Sequence, residues 1–173
     1  MDHADHVNLL RNGVTESGGV WADLGAGTGA FTLALAELIG PQGEIYAVDK
    51  NAEALRTQER AMLSQFPAMV VHYVVSDFRE LNLPPLNGIV IANALHFQCN
   101  QPDIAPQLRA YLRPKGRLLV VEYNIAQANS AVPYPVPYER WQELAREAGF
   151  GHTELLARRP SRFLREIYSA ASW

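Results

Sequence analysis

A strand-like apolar run, a glycine-rich turn and a helix-like segment follow one another near the start of this chain. The run is Val20–Leu24, and Ala30–Ile39, rich in alanine and leucine, follows the turn. The turn consists of Gly25, Ala26, Gly27, Thr28 and Gly29. Glycines allow a tight turn and a close approach of backbone to ligand, and the first turn of a helix offers free N–H groups. We therefore predict an open α/β sheet that binds a ligand at this turn.

The rest of the chain alternates short β-rich runs with longer helical segments. The five strands predicted first are Val20–Leu24, Glu44–Asp49, Met69–Val75, Gly88–Ala92 and Arg117–Tyr123. Their apolar cores are nearly continuous, as strands covered on both faces require. The predicted helices are Ala30–Ile39, Ala52–Phe66, Ile104–Leu112 and Tyr138–Ala148. This alternation implies parallel strands joined by crossover helices.

The end of the chain has a different pattern. Two further strands, Thr153–Ala157 and Phe163–Ala171, are joined by a link too short for a crossover helix. A short link makes neighbouring strands antiparallel, so we predict a C-terminal hairpin. The fold class is therefore α/β, a doubly wound sheet of seven mostly parallel strands. We predict one domain over 1–173, with a short N-terminal segment (1–19) and a catalytic core (20–173).

Charge and composition narrow the expected partners. Lysine and arginine number 15 against 18 aspartate and glutamate, a net charge of −3 that argues against a nucleic-acid partner. The single cysteine, Cys99, cannot form an intramolecular disulfide. The N-terminus lacks a signal-peptide pattern, and no apolar run approaches the roughly 20 residues of a membrane span. We expect a cytoplasmic protein with a small-molecule substrate, no membrane partner and no metal.

The glycine turn alone leaves two cofactors open. With Ala30 it also matches the dinucleotide pattern G-x-G-x-x-G/A, so an NAD(P)-dependent oxidoreductase is the alternative. Asp23 lies two residues before Gly25, at the end of the first predicted strand. A carboxylate facing the ligand there would repel a pyrophosphate and attract an ammonium group. S-adenosylmethionine carries an α-amino group and a sulfonium but no phosphate, so Asp23 favours this cofactor.

Two further acids lie at or just after the ends of the next two predicted strands. Asp49 lies 20 residues after Gly29, where a carboxylate can accept both ribose hydroxyls of either cofactor. Asp77 and Phe78 follow the third strand, where an acid and an aromatic ring suit an adenine amino group and ring. Lys50, next to Asp49, is part of the same predicted cofactor site.

From about Val20 to Trp173 the chain resembles the class I, Rossmann-like S-adenosylmethionine-dependent methyltransferases. The segments that carry the resemblance are Asp23-Leu24-Gly25-Ala26-Gly27-Thr28-Gly29, Ala47-Val48-Asp49, Ser76-Asp77-Phe78, Asn93-Ala94-Leu95-His96-Phe97 and Leu112-Arg113-Pro114-Lys115-Gly116-Arg117-Leu118. The resemblance implies S-adenosylmethionine as cofactor, S-adenosylhomocysteine as product, and a last strand inserted antiparallel. It also implies that Asn93 and the residues after it flank the methionine moiety and the reaction centre.

The expected reaction is direct in-line methyl transfer, in which the protein positions the acceptor and excludes water. His96 is the candidate general base, because it follows the fourth strand and can titrate near neutrality. A contact with cofactor or backbone alone is the other interpretation of His96. The residues expected to border the substrate are Phe97, Glu122, Tyr123, Asn124 and Tyr134.

Three alternatives stay open at this stage. The chain could be a non-catalytic S-adenosylmethionine-binding partner subunit, because few residues precede the first strand and the lid is minimal. For the same reason, a homodimer is one way to complete the substrate site. The acceptor atom is also open among oxygen, nitrogen, sulfur and carbon. A Tyr111-x-x-x-Lys115 spacing resembles a dehydrogenase pair, but Pro114 breaks the helix that this catalysis needs.

Overall fold

The computed structural model describes residues 1–77, 80–161 and 163–173. Its seven strands are β1 (Gly19–Leu24), β2 (Gly43–Asp49), β3 (Val70–Val75), β4 (Leu86–Ala92), β5 (Leu112–Tyr123), β6 (Thr153–Pro160) and β7 (Glu166–Ser172). They form one sheet in the order β3-β2-β1-β4-β5-β7-β6. Strand β7 lies between β5 and β6 and is antiparallel to both. The predicted fold class and the C-terminal hairpin are therefore confirmed.

Five helices are present among the described residues: α1 (His3–Leu10), α2 (Ala30–Ile39), α3 (Ala52–Gln65), α4 (Gln101–Ala110) and α5 (Tyr138–Glu147). Helix α2 has the predicted bounds. Helix α4 was predicted as Ile104–Leu112, and those bounds were wrong at both ends. It begins earlier because Pro102 is tolerated in the first turn of a helix, where its missing N–H is not needed. It ends earlier because Leu112 already pairs with Leu86 in the sheet.

The N-terminal segment contains a helix that sequence analysis did not identify. Asp2 and Asp5 form a reciprocal capping box at the start of α1. The apolar side chains Val7, Leu9 and Leu10 are buried on the face of the sheet that α2 also covers. The eight residues of α1 are too few for a helix to be stable by itself, so packing determines its formation.

The helices cover both faces of the sheet. Helices α1, α2 and α3 pack on one face, and α4 and α5 pack on the other. Trp141 of α5 is fully buried, and its indole N–H donates to Ser172 Oγ at 3.2 Å. None of the helices in the described part of the chain is both long and apolar enough to cross a membrane. With both faces covered, the carboxyl edge of the parallel strands is left as the open surface for a ligand.

Candidate active site

The carboxyl ends of β1, β2, β3 and β4 border a cleft of about 300 Å³, called here the cofactor cleft. Its lining is Gly25, Asp49, Lys50, Ser76, Asn93, Ala94, Phe97 and Gln98. Four of the predicted cofactor residues, Gly25, Asp49, Lys50 and Asn93, therefore lie together. Phe97, predicted to border the substrate, is 58% exposed on the same cleft. Leu24, at the end of β1, and Ala26, within the turn, are both buried. Thr28 is exposed and does not line the cleft.

Asp49 connects the glycine turn to the end of β2. Its Oδ2 accepts from the Gly27 N–H at 2.8 Å, and its Oδ1 accepts from the Asn51 N–H at 2.8 Å. Each carboxylate oxygen has a second lone pair, and the side chain is only half-buried at the cleft. Asp49 can therefore hold the turn and still accept from two neighbouring hydroxyls, as a ribose requires.

Asn93 gives the cofactor cleft an unpaired acceptor. The residue has a left-handed backbone conformation (φ 51°), which is unusual for a residue other than glycine. Its Oδ1 is buried without a hydrogen-bond partner among the described residues. Such an atom is costly unless a ligand donates to it. An ammonium group is a suitable donor, so this cleft fits the amino group of S-adenosylmethionine.

Asp23 lies elsewhere than sequence analysis expected. Its side chain is 1% exposed, outside the cleft lining, and its Oδ2 accepts from Thr32 Oγ1 at 2.5 Å. Asp23 is the next-to-last residue of β1, and the first turn of α2 covers its carboxylate. Burial raises the pKa of Asp23 to about 7, the nearby Asp49 charge also raises it, and the Thr32 hydrogen bond lowers it. Among the described side chains, the unpaired acceptor at the cleft is Asn93 and not Asp23.

We expect Asp23→Asn to make stability less dependent on pH. Between the ordinary aspartate pKa of 3.8 and the native pKa of about 7, the native state binds a proton that the unfolded state does not. The free energy of unfolding of the wild type therefore falls as pH rises through this window, by up to about 1.4 kcal/mol per unit. Asparagine does not titrate and can still accept from Thr32.

Urea unfolding at pH 5 and pH 8 tests this effect. The stability advantage of Asp23→Asn over the wild type should be larger at pH 8 by about 1–3 kcal/mol. Asp103→Asn, which alters an exposed carboxylate, is the matched control and should show no such change. A constant difference between wild type and Asp23→Asn at both pH values would contradict the raised pKa.

Two glycines of the turn differ in the space around them. Both have positive φ, +78° at Gly25 and +53° at Gly27. A Cβ at Gly25 would lie 2.5 Å from the Cβ of Ala94, whereas a Cβ at Gly27 would meet nothing within 4 Å. We expect Gly25→Ala to lower the free energy of unfolding by about 1–3 kcal/mol more than Gly27→Ala. Denaturant unfolding checks this, and equal losses would show that Ala94 can move aside at little cost.

Lys50, which follows β2, and Asp77, which follows β3, form an ion pair at the rim of the cofactor cleft. Lys50 Nζ and Asp77 Oδ2 are 2.7 Å apart. The Asp77 side chain is 16% exposed, so part of its surface is open to a ligand. Phe78, predicted to lie against the adenine, is outside the described residues. The pair places the two predicted residues together, and Asp77 is thereby oriented at the end of β3.

Behind the cofactor cleft, His96 pairs with Glu122, a partnership that sequence analysis did not predict. His96 is in a 3-10 turn (Leu95–Phe97) after β4, and Glu122 is near the end of β5. The ring Nδ1 and Glu122 Oε2 are 2.6 Å apart. Glu122 Oε1 also accepts from the N–H groups of Leu95 and His96, at 2.9 and 3.2 Å. Both side chains are almost fully buried, at 3% and 1% exposure, so Glu122 sets the orientation of the imidazole.

The ring tautomer follows from this contact. An ionised carboxylate only accepts hydrogen bonds, so Nδ1 carries the proton and donates to Glu122. Nε2 of the neutral ring then has a free lone pair and can act as a base. The aromatic rings of Phe97 and Tyr123 flank the imidazole, with centroids 4.3 and 6.1 Å away. The pair is thus a base held in a low-solvent environment between the ends of β4 and β5.

A second cleft, of about 390 Å³, lies beside Tyr123 on the same edge of the molecule. Tyr123, Ile167 and the exposed Phe163 form its apolar part, and an ion pair between Arg159 and Asp5 lies in its wall. Burial raises the pKa of the Tyr123 phenol, as does the nearby Glu122 charge, so the hydroxyl stays protonated. This cleft is called here the aromatic cleft.

Two other residues predicted to border the substrate are fixed by hydrogen bonds. Asn124 donates to Glu166 Oε1 at 2.8 Å and accepts from the Tyr138 N–H at 3.1 Å, so its side chain joins the start of α5 to β7. Tyr134 is 46% exposed, and its N–H donates to the carbonyl of His96 at 3.0 Å. The loop between β5 and α5 (residues 124–137), which contains Pro133, Pro135 and Pro137, is therefore attached directly to the turn that bears His96.

The seven-strand sheet with β7 inserted antiparallel is the arrangement that the class I resemblance implied. A sequence family described as a methyltransferase domain matches residues 15–159. The chain belongs to this family, and it is an S-adenosylmethionine-dependent enzyme of class I. S-adenosylmethionine is its cofactor, with S-adenosylhomocysteine as the product, so the NAD alternative is set aside.

Proteins of similar sequence include a polyketide synthase and a C-methyltransferase. The non-reducing polyketide synthase SAT8 of Stachybotrys chartarum is 29% identical over 155 residues, which cover 76% of this chain and 6% of the synthase. The ubiquinone/menaquinone biosynthesis C-methyltransferase UbiE of Stutzerimonas stutzeri is 31% identical over 104 residues, 59% of this chain and 41% of that protein. The chain thus spans less than half of the length of either relative.

Among solved structures, the YcgJ protein of Bacillus subtilis has the same fold. The TM-score is 0.76 at 11% sequence identity, and the match covers 98% of each chain. At this identity the likeness concerns the fold alone. It agrees with the seven-strand sheet and its order.

Proposed function

We propose that this enzyme transfers a methyl group to an acidic carbon of a small-molecule acceptor, with His96 as the general base. The observation that carries the proposal is the buried pair of His96 and Glu122, whose atoms Nδ1 and Oε2 are 2.6 Å apart. A carbon between carbonyl groups, or in a hydroxylated aromatic ring, must lose a proton before or after it accepts a methyl group. An oriented neutral imidazole is suited to take that proton.

The reaction needs one electrophile and one activated nucleophile. S-adenosylmethionine supplies a methyl group made electrophilic by the attached sulfonium. His96 Nε2 takes the proton from the acceptor carbon, and the electron pair of that C–H bond becomes available on the resulting enolate. The enolate carbon forms the new bond to the methyl group, while the electrons of the sulfur–methyl bond return to sulfur. The proton stays on the imidazole, where the Glu122 carboxylate stabilises the imidazolium charge.

Residues of the cofactor cleft have separate roles in this scheme. Asp49 accepts from the ribose hydroxyls, and Asn93 Oδ1 accepts from the amino group of the methionine moiety. Gly25 lets the backbone approach closely because it has no side chain. The activation barrier is lowered further by positioning the acceptor in line with the sulfur–methyl bond. Such positioning is worth roughly 7–11 kcal/mol of a barrier.

The acceptor is expected in the aromatic cleft, because Tyr123 borders both this cleft and the imidazole. The exposed rings of Phe97, Tyr134 and Phe163 lie along the same edge of the molecule. Phe97 packs against the imidazole, with ring centroids 4.3 Å apart. An acceptor with a flat apolar body suits these surroundings.

Two of the relatives support a carbon acceptor. UbiE is described as a C-methyltransferase of ubiquinone and menaquinone biosynthesis, and SAT8 as a polyketide synthase. Quinol rings and polyketide chains both contain carbons activated by neighbouring oxygen atoms. The acceptor class proposed for this chain has the same chemical property.

Methyl transfer from S-adenosylmethionine labelled with carbon-13 in its methyl group tests the acceptor class. The probes are a β-keto thioester, a 1,3-dihydroxylated aromatic, a catechol and a primary amine. NMR of the products distinguishes methyl groups bound to carbon, oxygen and nitrogen. We expect label on carbon, from the thioester or the 1,3-dihydroxylated ring. Label found only on oxygen or nitrogen would overturn the proposal.

A further inference from the structure

A cleft of about 740 Å³ lies at the opposite end of the sheet from the cofactor cleft. It is formed by the start of β1, the start of β5 and Trp173. Strands of six residues separate the two edges, so the clefts are roughly 20 Å apart. None of the residues assigned above to the cofactor or the acceptor lines it. It is called here the basic cleft, because three of its lining residues are Arg113, Lys115 and Arg117.

A large bulge in β5 forms one wall of the basic cleft. Between paired positions of the β4–β5 ladder, β4 has the single residue Asn87 and β5 has four residues, 113–116. The bulge is fixed, because Asn87 Oδ1 accepts from the Val20 N–H at 2.9 Å and from Arg113 Nη1 at 3.2 Å. Bulges of this kind redirect side chains at the ends of sheets and beside functional sites. Here the bulge turns a run of strand residues into a basic loop.

Lys115 adopts a backbone conformation that glycine would adopt more easily. Its φ is +69°, and it follows Pro114. Proline followed by a residue of positive φ is the pattern of a type II turn, in which glycine is strongly preferred at the second central position. The chain has a lysine there instead, and it contains only one other lysine, Lys50 of the cofactor cleft. Residues whose backbone is held in this unfavourable conformation cluster at functional sites.

The three cations have no carboxylate partner in the described part of the chain. The Arg117 guanidinium lies over the Trp173 ring, 4.1 Å from its centroid, and this contact orients it. Glu16 is the only acidic side chain of the lining. The main-chain oxygen of Trp173 is already occupied by the N–H groups of Gly151 and His152. The charged side chains of the lining, three cations and Glu16, thus carry a net charge of +2 in a chain whose net charge is −3.

We propose that the basic cleft binds a small phosphate-bearing anion, at a site separate from that of the methyl donor. Arginine pairs with phosphate oxygens through two parallel hydrogen bonds, and lysine adds a point charge. The volume exceeds that of one phosphate and suits a diphosphate with an organic group beside Trp173. The net negative charge of the chain opposes a nucleic acid, which needs an extended basic surface and not a single cleft.

Calorimetric titration of the full chain with inorganic pyrophosphate tests this site. We expect saturable binding with one site per chain. Lys115→Gly should weaken the affinity by about tenfold or more, because it removes a charge-assisted contact. The same change relieves the left-handed backbone, so the melting temperature should equal or exceed that of the wild type. Loss of binding in this variant therefore cannot be ascribed to unfolding.

Arg140→Ala is the matched control, since it removes an exposed cation paired with Glu143 on α5, away from the basic cleft. Its affinity for pyrophosphate should equal that of the wild type. Titrations with phosphate and with ADP separate a bare anion site from one that also uses Trp173. Affinity for S-adenosylhomocysteine should be unchanged in Lys115→Gly. No saturable binding of pyrophosphate, or equal weakening in Lys115→Gly and Arg140→Ala, would overturn the proposal.

Discussion

Glu122→Gln is expected to lower kcat by about 10²–10⁴-fold, the contribution of a positioned general base. The glutamine oxygen can still accept from the Leu95 and His96 N–H groups, so the 3-10 turn is retained. Its amide NH₂ then faces Nδ1 of His96 and favours the tautomer that carries its proton on Nε2. In that tautomer Nε2 has no free lone pair. The reaction therefore loses its base while the backbone keeps its shape.

Steady-state kinetics with the acceptor identified by the carbon-13 assay measures this effect. The KM for the acceptor and the affinity for S-adenosylhomocysteine should stay within about twofold of the wild type, because neither contact is altered. Glu166→Gln is the matched control, since it also removes a carboxylate charge but keeps an acceptor for Asn124. Its kcat should be close to that of the wild type. If Glu122→Gln retained full kcat, the pair would be a structural contact and not a base.

Asp49→Ala is expected to weaken the binding of S-adenosylhomocysteine by about 10²–10⁴-fold. Two charge-assisted hydrogen bonds to ribose hydroxyls are lost, each worth about 1.5–3 kcal/mol. The substitution also removes the acceptor that holds the Gly27 N–H at 2.8 Å, so the glycine turn is less well fixed before the ligand arrives. Both effects act on cofactor affinity.

Isothermal titration calorimetry checks Asp49→Ala against Asp103→Ala, which removes an exposed carboxylate of α4. The control should bind like the wild type. Asp49→Asn retains one acceptor oxygen and should fall between the wild type and Asp49→Ala. A loss of less than about fivefold in Asp49→Ala would mean that the ribose is held by other groups.

The strands were predictable because strands covered on both faces are continuous apolar runs. All seven were predicted, and β1, β2 and β3 each differ from their predicted bounds by one residue at the start. The start of β5 was not predictable, since the bulge before Arg117 depends on its pairing with β4. The last strand begins at Glu166 instead of Phe163, because β6 continues to Pro160 instead of ending at Ala157 and the hairpin link lies correspondingly later in the chain.

At the candidate site, local sequence patterns predicted where residues lie in the fold better than they predicted which residues those side chains contact. Asp49 and Asn93 follow apolar runs, so their place at the carboxyl edge could be deduced from sequence. Asp23 follows the same rule, but its side chain turns under α2, and sequence periodicity does not reveal which way a residue at a strand end turns. The pairing of His96 with Glu122 depends on the register of β4 and β5, in which Ala92 lies opposite Val121. A contact over 26 residues leaves no local signal in the sequence.

In the proposed reaction, His96 removes a proton from the acceptor carbon. Hydrogen exchange in heavy water measures that step apart from methyl transfer. A β-keto thioester is incubated with the enzyme and S-adenosylhomocysteine in mildly acidic buffer, and deuterium uptake at the carbon between the carbonyls is followed by mass spectrometry, with the spontaneous rate subtracted. We expect the wild type to accelerate the exchange and His96→Ala to abolish the acceleration, while both still bind S-adenosylhomocysteine. Equal exchange with wild type and His96→Ala, or no acceleration by the wild type, would contradict the proposed role of His96.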